Sequence, residues 1–296
     1  MPAIADTSPV AIDRLARDLK IPPCPAVLER LVREARKDDP DPRTLAGLIN
    51  QDAGLAAAVL RAVNSPVYGL SRKAQDVQQA LAIMGVNATM NLINGLMLRQ
   101  AFPAASGTLM QRFWDQSSGV ALAAVAVARR IPGCSREEAH TYALFRNCGI
   151  AVMISRFPDY GPFLAGHATT PGPALLAAEG AKYGLHHARI GYALARTWGL
   201  PETLAYSILF HHHIDLMPGR LGEGQRASPT LVAAALLAEQ VANLEAGGSL
   251  TSEWLTHEQF VLASLQISAE DVADILGTGR NGPRATFGRS LSPARI

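Results

Sequence analysis

What this sequence lacks narrows it quickly. Its three cysteines, Cys24, Cys134 and Cys148, are odd in number and share no CxxC spacing. Neither a disulfide framework nor a zinc knuckle is supported, and buried thiols in a reducing cytoplasm are expected. Charge of one sign is also missing: 27 Lys and Arg stand against 25 Asp and Glu, a net +2. The basic residues are scattered and no basic run is interleaved with aromatics, so electrostatics gives nucleic-acid binding no push. Long hydrophobic runs are absent as well. The longest, "GVALAAVAVA" at 119–128, is about half of the ~20 residues a membrane span needs. It ends against Arg129-Arg130 and reads as a core helix. The opening "MPAIADTSPVAIDRLARDLK" carries acidic residues and no apolar core, unlike a secretory signal. A cytoplasmic protein with no membrane contact is the expectation.

Strand alternation is nearly absent too, and helical periodicity fills the space it leaves. With 48% hydrophobic residues over 296 positions, the chain has enough apolar material for substantial helical cores. Stripes run through "CPAVLERLVREARK", "DPRTLAGLINQ" and "DAGLAAAVLRAVN", with Asp52 placed to cap the last. "NSPVYG" at 64–69 reads as an interhelical turn in which Asn64 or Ser65 hydrogen-bonds freed backbone groups. A helix then runs from an Asp76 cap to a Gly85 stop, and another from Asn87 to about Phe102. A break at "PAASG" separates a second lobe, with helices predicted at Leu109–Arg130, Arg136–Arg156, Pro158–His167, three more through 172–213, Thr230–Glu245, 257–265 and 269–276. Residues 1–19 form an N-terminal segment, 20–106 the first lobe and 107–276 the second, and 277–296 is a Gly/Arg/Ser/Pro-rich tail with the composition of a disordered segment.

Histidine is the informative residue. Seven of the eight fall between His140 and His213, with His257 beyond. In "HHARIGYALARTWG" the spacing puts His187, Gly191, Leu194 and Trp198 on one helix face. A histidine next to a glycine there can look into a pocket, because the glycine lets a neighbouring helix come close. His211-His212-His213 ends the next helix, and successive residues point about 100° apart, so at most two of the three can share a site. Two readings stand side by side. The histidines cap a helix end and hydrogen-bond across a core, or His187, His211 and His212, with Glu179 and one of Glu239 or Asp215, hold a zinc, iron or manganese ion.

The order of motifs resembles the HDOD family, the HD-related output domains of bacterial signalling. The matching pieces are "IPPCPAVLERLV", "LAGLINQDAGLAAAVLRAVNSPVYG", "VQQALAIMGVNATMNLI", "FWDQSSGVALAAVAVAR", "YALFRNCGIAVMISRFPDYG" and "GLHHARIGYALARTWGLPETLAYSILFHHH", in order over about residues 20–245. The resemblance implies an all-α protein of two packed helical lobes, the second a degenerate relative of the HD metal phosphohydrolases. Their pattern of a His, a His-Asp doublet, later histidines and a final Asp falls here near Gln116, on Arg146-Asn147, on His187 and His211-His212, and near Glu239. An arginine has no lone pair to give and stays charged, and an asparagine offers only a neutral amide oxygen. A two-cation hydrolytic centre needs a carboxylate at that doublet, so no catalytic residue and no cofactor is expected.

Arg146 keeps two readings of its own: an ion pair with Glu137, Glu138 or Glu179, or a fork that clamps a nucleotide or other phosphorylated ligand. The implied function is a non-catalytic regulator acting in trans on signalling proteins. The alternative from another class is a metal-dependent phosphodiesterase with an atypical ligand set, and a third reading is a nucleic-acid-binding regulator.

Overall fold

The computed structural model describes residues 8–64, 73–102, 107–217 and 227–277. Among them the chain is helical throughout, with no strand. It divides into two compact units: the described residues of Pro25–Leu98 with Ala273–Ile296, and those of Met1–Cys24 with Arg99–Val272.

The smaller unit is built from α2 (Ala26–Ala35), α3 (Pro42–Asn50), α4 (Ala53–Val63), α5 (Val77–Met84) and most of α6 (Val86–Ala101). Aspartates start three of these helices. Asp41 accepts from the Arg43 and Thr44 amides, Asp52 from Leu55, and Asp76 from Gln79, each satisfying a backbone donor that the first turn leaves free. Helix α3 packs on α2, α4 and α5, burying Leu28, Leu31, Leu45, Ile49, Leu55 and Val59. The expected role of Asn64 is found. Its side-chain amide both donates to the Ala74 carbonyl and accepts from the Ala74 amide, each at 2.8 Å. Ser65 and the rest of "NSPVYG" lie outside the described residues, as do "PAAS" at 103–106 and the tail beyond Gly277.

The larger unit begins with α1 (Pro9–Asp18) and continues through α7 (Gly107–Ala128), α8 (Arg136–Phe145), α9 (Cys148–Arg156), α10 (Tyr160–Gly166), α11 (Gly172–Tyr183), α12 (His187–Thr197), α13 (Glu202–Phe210), α14 (Pro229–Glu245) and α15 (Ser252–Leu265), and ends in the first four residues of a short α16 (Ala269–Ile275). Helix α7 buries Met110, Trp114, Ser117, Ala121, Ala124 and Ala128, a three-and-four spacing that presents one stripe to α8 and α14. The run at 119–128 is thus core, and no single helix among the described residues is long and apolar enough to cross a membrane. Helix α14 is buried all round from Leu231 to Ala238, packed among α7, α8, α13 and α15. Helix α12 lies against α1, α9 and α13, with the Trp198 indole donating to the Pro22 carbonyl at 2.9 Å. All three cysteines are free thiols.

Two expectations need correcting. The single helix predicted over 136–156 is two, because Asn147 leaves helical geometry at φ −105°, ψ 14°. The break turns α9 so that Gly149 seats against α12, where a side chain at that position would collide with the His187 carbonyl. The helix predicted to start at residue 257 starts at Ser252, since the Thr251 hydroxyl caps it by accepting from the Trp254 amide at 3.1 Å.

Candidate metal centre

Two helix termini bring three imidazoles together. His187 is the first residue of α12, and His211 and His212 directly follow α13. One ring nitrogen of each lies within 4.8 Å of those of the other two. Ring centroids are 4.0 Å apart for His211 and His212, 5.2 Å for His187 and His212, and 5.4 Å for His187 and His211. Glycines allow this approach. Gly149 and Gly191 let α9 close on α12, and Gly172 at the start of α11 leaves the His212 ring the space that a Cβ would take.

Every Nδ1 in the trio has a partner. That of His187 lies 2.9 and 3.0 Å from the two Glu179 oxygens, that of His211 lies 2.6 Å from the Ile208 carbonyl, and that of His212 lies 2.9 Å from Glu253 Oε1. Carbonyl and carboxylate oxygens only accept, so in each neutral ring the hydrogen sits on Nδ1 and the lone pair on Nε2. The Nε2 atoms of His187 and His211 are buried and have no hydrogen-bond partner. Imidazoles held this way by an outer carboxylate or carbonyl are oriented as metal ligands usually are.

Electrostatics keeps two of the rings in ligand form. Burial, reinforced by the neighbouring imidazoles and Arg146, drives His211 and His212 well below the ordinary histidine value, so both are neutral at pH 7. Burial pushes Glu179 upward, but the hydrogen bonds and charge of His187, together with the Tyr160 hydroxyl, prevail and hold it below its usual value. His186, beside the trio, is pushed down to about 4 by burial and by His187. Its Nδ1 accepts from the Arg189 amide and so caps α12.

Arg146 stands close by and is 4% exposed. One of its terminal nitrogens is 2.7 Å from Glu239 Oε2 on α14, whose side chain is 26% exposed. Burial opposes the guanidinium charge, but Glu239 and Tyr142 more than restore it, and the pKa ends above its ordinary value. Arg146 is therefore half of an interhelical ion pair. Its partner is Glu239 and not Glu137, Glu138 or Glu179, because the break after Phe145 brings it to α14.

The other sequence candidates separate. Gln116 is exposed on α7, between the inward-facing Trp114 and Ser117, and takes no place among the buried groups. Asn147 is half-buried at the start of α9, with an Oδ1 that is sealed from solvent and has no hydrogen-bond partner. Glu179 stands behind His187 rather than in the ligand position. Glu239 is engaged by Arg146, and Asp215 is exposed. His213 is half-buried outside the trio. Glu253 escaped the sequence reading altogether. It lies 41 residues beyond its histidine, at a helix start that the apolar pattern placed too late. Behind the trio, the buried Tyr160 donates its hydroxyl to Glu179.

The sequence matches the HDOD domain family over residues 21–214, and the chain belongs to that family. Solved structures share the fold. An HDOD domain protein of unknown function from Geobacter sulfurreducens is 23% identical, with a TM-score of 0.70 over 89% of this chain and 92% of the other. A Marinobacter aquaeolei VT8 protein, provisionally named for signal transduction, is 21% identical at a TM-score of 0.68, covering 89% of this chain and 57% of that one. A Shewanella amazonensis SB2B protein, provisionally named a phosphohydrolase, is 20% identical at 0.67, covering 89% and 91%. A curated relative of unassigned function from Treponema pallidum (strain Nichols) is 26% identical over 200 residues, 67% of this chain; that match spans 39% of the relative's own length.

HD-type phosphohydrolases raise the question of bound cations, and the residues here answer it unequally. Three imidazoles, each with its Nδ1 engaged by an acceptor and its Nε2 turned from it, fit one borderline divalent ion. Two ions need a bridging carboxylate. The carboxylates in contact with the trio, Glu179 and Glu253, are both hydrogen-bonded to ring Nδ1 atoms, and Arg146 holds Glu239.

Proposed function

We propose that this chain is a non-catalytic HDOD regulatory domain that conveys a state to signalling partners in trans. The observation carrying this reading is the buried Arg146–Glu239 pair. In HD enzymes the corresponding doublet supplies a ligand and a charge-balancing carboxylate. Here a permanent cation occupies the position, and the nearest acid on α14 neutralises it. A single cation on His187, His211 and His212 would supply a cross-link between α12 and the end of α13, and Lewis acidity at one centre. Among the described residues, the carboxylates around it are already engaged: Glu179 and Glu253 by hydrogen bonds and Glu239 by Arg146, so none stands ready to bridge a second cation or act as a base on bound water. That the fold is shared with a protein provisionally named for signal transduction agrees with this reading.

One observation favours the alternative, a metal-dependent phosphohydrolase with an unusual ligand set: three imidazole donors would leave a fourth coordination position open, as catalytic sites do. The deciding experiment is hydrolysis of bis(p-nitrophenyl) phosphate and of cyclic dinucleotides by protein loaded with manganese or iron. No turnover above a His187→Ala/His212→Ala control is expected. Turnover that the double variant abolishes would establish the enzyme reading instead.

A further inference from the structure

We infer that the three imidazoles form a one-cation site whose occupancy is read out by helix α15 through Glu253. This extends the regulatory reading by naming its input and its moving part, and the cation site itself does not depend on that reading. Glu253 lies beyond the family match, which ends at residue 214. It touches three elements at once. One carboxylate oxygen is 2.9 Å from His212 Nδ1, and the other accepts from the Gly172 amide of α11 at 3.0 Å. His257, one turn along α15, has its Nε2 3.9 Å from the same carboxylate. The side chain is 16% exposed, so these contacts are partly shielded from water.

The trio meets the chemical requirement for a ligand set. Its Nδ1 hydrogens are all engaged, and the Nε2 atoms of His187 and His211, both residues 1% exposed, have no partner. A cation would give those lone pairs their partner. Charge also balances: Glu179 and Glu253 stand behind two of the rings, and Arg146 is already neutralised by Glu239. Nitrogens about 2.0–2.1 Å from one ion in a tetrahedron stand roughly 3.4 Å apart. The trio's ring nitrogens lie within 4.8 Å of one another, so a bound ion draws them together by up to about 1.4 Å. His212 is the least enclosed of the three rings, its side chain 14% exposed where His187 and His211 are each 1% exposed. Its inward movement carries the Nδ1–H bond with it, and so pulls on Glu253 and the first turn of α15. Cation binding therefore tightens α15, and cation loss relaxes it.

The test uses the full chain, purified without a nickel column and stripped with chelator. Cobalt(II) titration should produce visible absorption bands that saturate at one equivalent and are displaced by zinc. His187→Ala and His211→Ala should each weaken binding at least 100-fold, while His167→Ala, whose ring stacks on Phe163, should leave it unchanged; circular dichroism confirms that all variants are folded. Hydrogen exchange supplies the second readout. Zinc should slow the amides of Ser252–Leu265 at least threefold in wild type, and not in Glu253→Gln, which should still bind, about tenfold more weakly. A wild type without a stoichiometric cobalt spectrum, or a spectrum that survives in the histidine variants, overturns the site. Binding without protection of α15 overturns the coupling. Phosphodiester turnover by the loaded protein would overturn the non-catalytic reading and leave the cation site standing.

Discussion

Two buried polar groups lie side by side in the larger unit and meet the cost of burial in opposite ways. Arg146 is closed: its charge is matched by one carboxylate on a neighbouring helix, and the pair needs nothing further. The histidine trio is open: each ring has one nitrogen held by protein and, for His187 and His211, the other left without a partner. A closed pair is a fixed part of the fold, whereas an open set is completed only by something added. On the proposed reading, that contrast separates a lost hydrolytic centre from a retained binding position. It can be broken at either end.

The largest effects are expected at the closed end. Glu239→Gln leaves a buried guanidinium without its counter-charge and should cost about 3–5 kcal/mol in chemical denaturation. Arg146→Met should cost less, about 1–2 kcal/mol, because the abandoned Glu239 is 26% exposed and can hydrate. Equal costs would show that the pair is not buried as described. Next comes the packing beneath the open end. Gly149→Ala places a methyl group on the His187 carbonyl and should cost about 1–3 kcal/mol, measurable as a lowered midpoint.

A lone histidine provides a control for the trio. Burial pushes His140 down to about 4, and its Nδ1 is buried without a partner. The unfolded chain binds that proton more readily, so its contribution to stability is fully present above pH 6.5 and is lost as pH falls towards 4. The total is on the order of 3 kcal/mol. His140→Gln should flatten that part of the pH–stability curve, and an unchanged slope would remove the assignment. The smallest effect is at Tyr160. Tyr160→Phe removes the hydroxyl that donates to Glu179 and should cost about 1 kcal/mol, with the trio's geometry retained.

The contrast between the two ends was unevenly legible in the sequence. The shared face of His187 and Gly191, and the rule that only two of His211, His212 and His213 can meet one site, followed from helical spacing alone. The aspartate caps and the Asn64 clamp followed from local chemistry. The break at Arg146-Asn147 did not, because apolar residues continue on both sides and neither residue is a strong breaker. Only the tertiary seat of Gly149 on α12 requires it. Gln116 was drawn in by its position in a motif, while the stripe through Trp114 and Ser117 already turned it outward. Glu253 had no local signal, since it contacts His212 across 41 residues and lies past the part of the chain that the family pattern covers.

The trio is expected to hold one cation and not two. A crystal of this protein soaked in cobalt or zinc, with ions located by anomalous scattering, distinguishes the two. A single peak is expected about 2.0–2.1 Å from ring nitrogens of His187, His211 and His212, with Arg146 still bound to Glu239. Two peaks roughly 3.5–4 Å apart, with Arg146 swung away from Glu239, would contradict it.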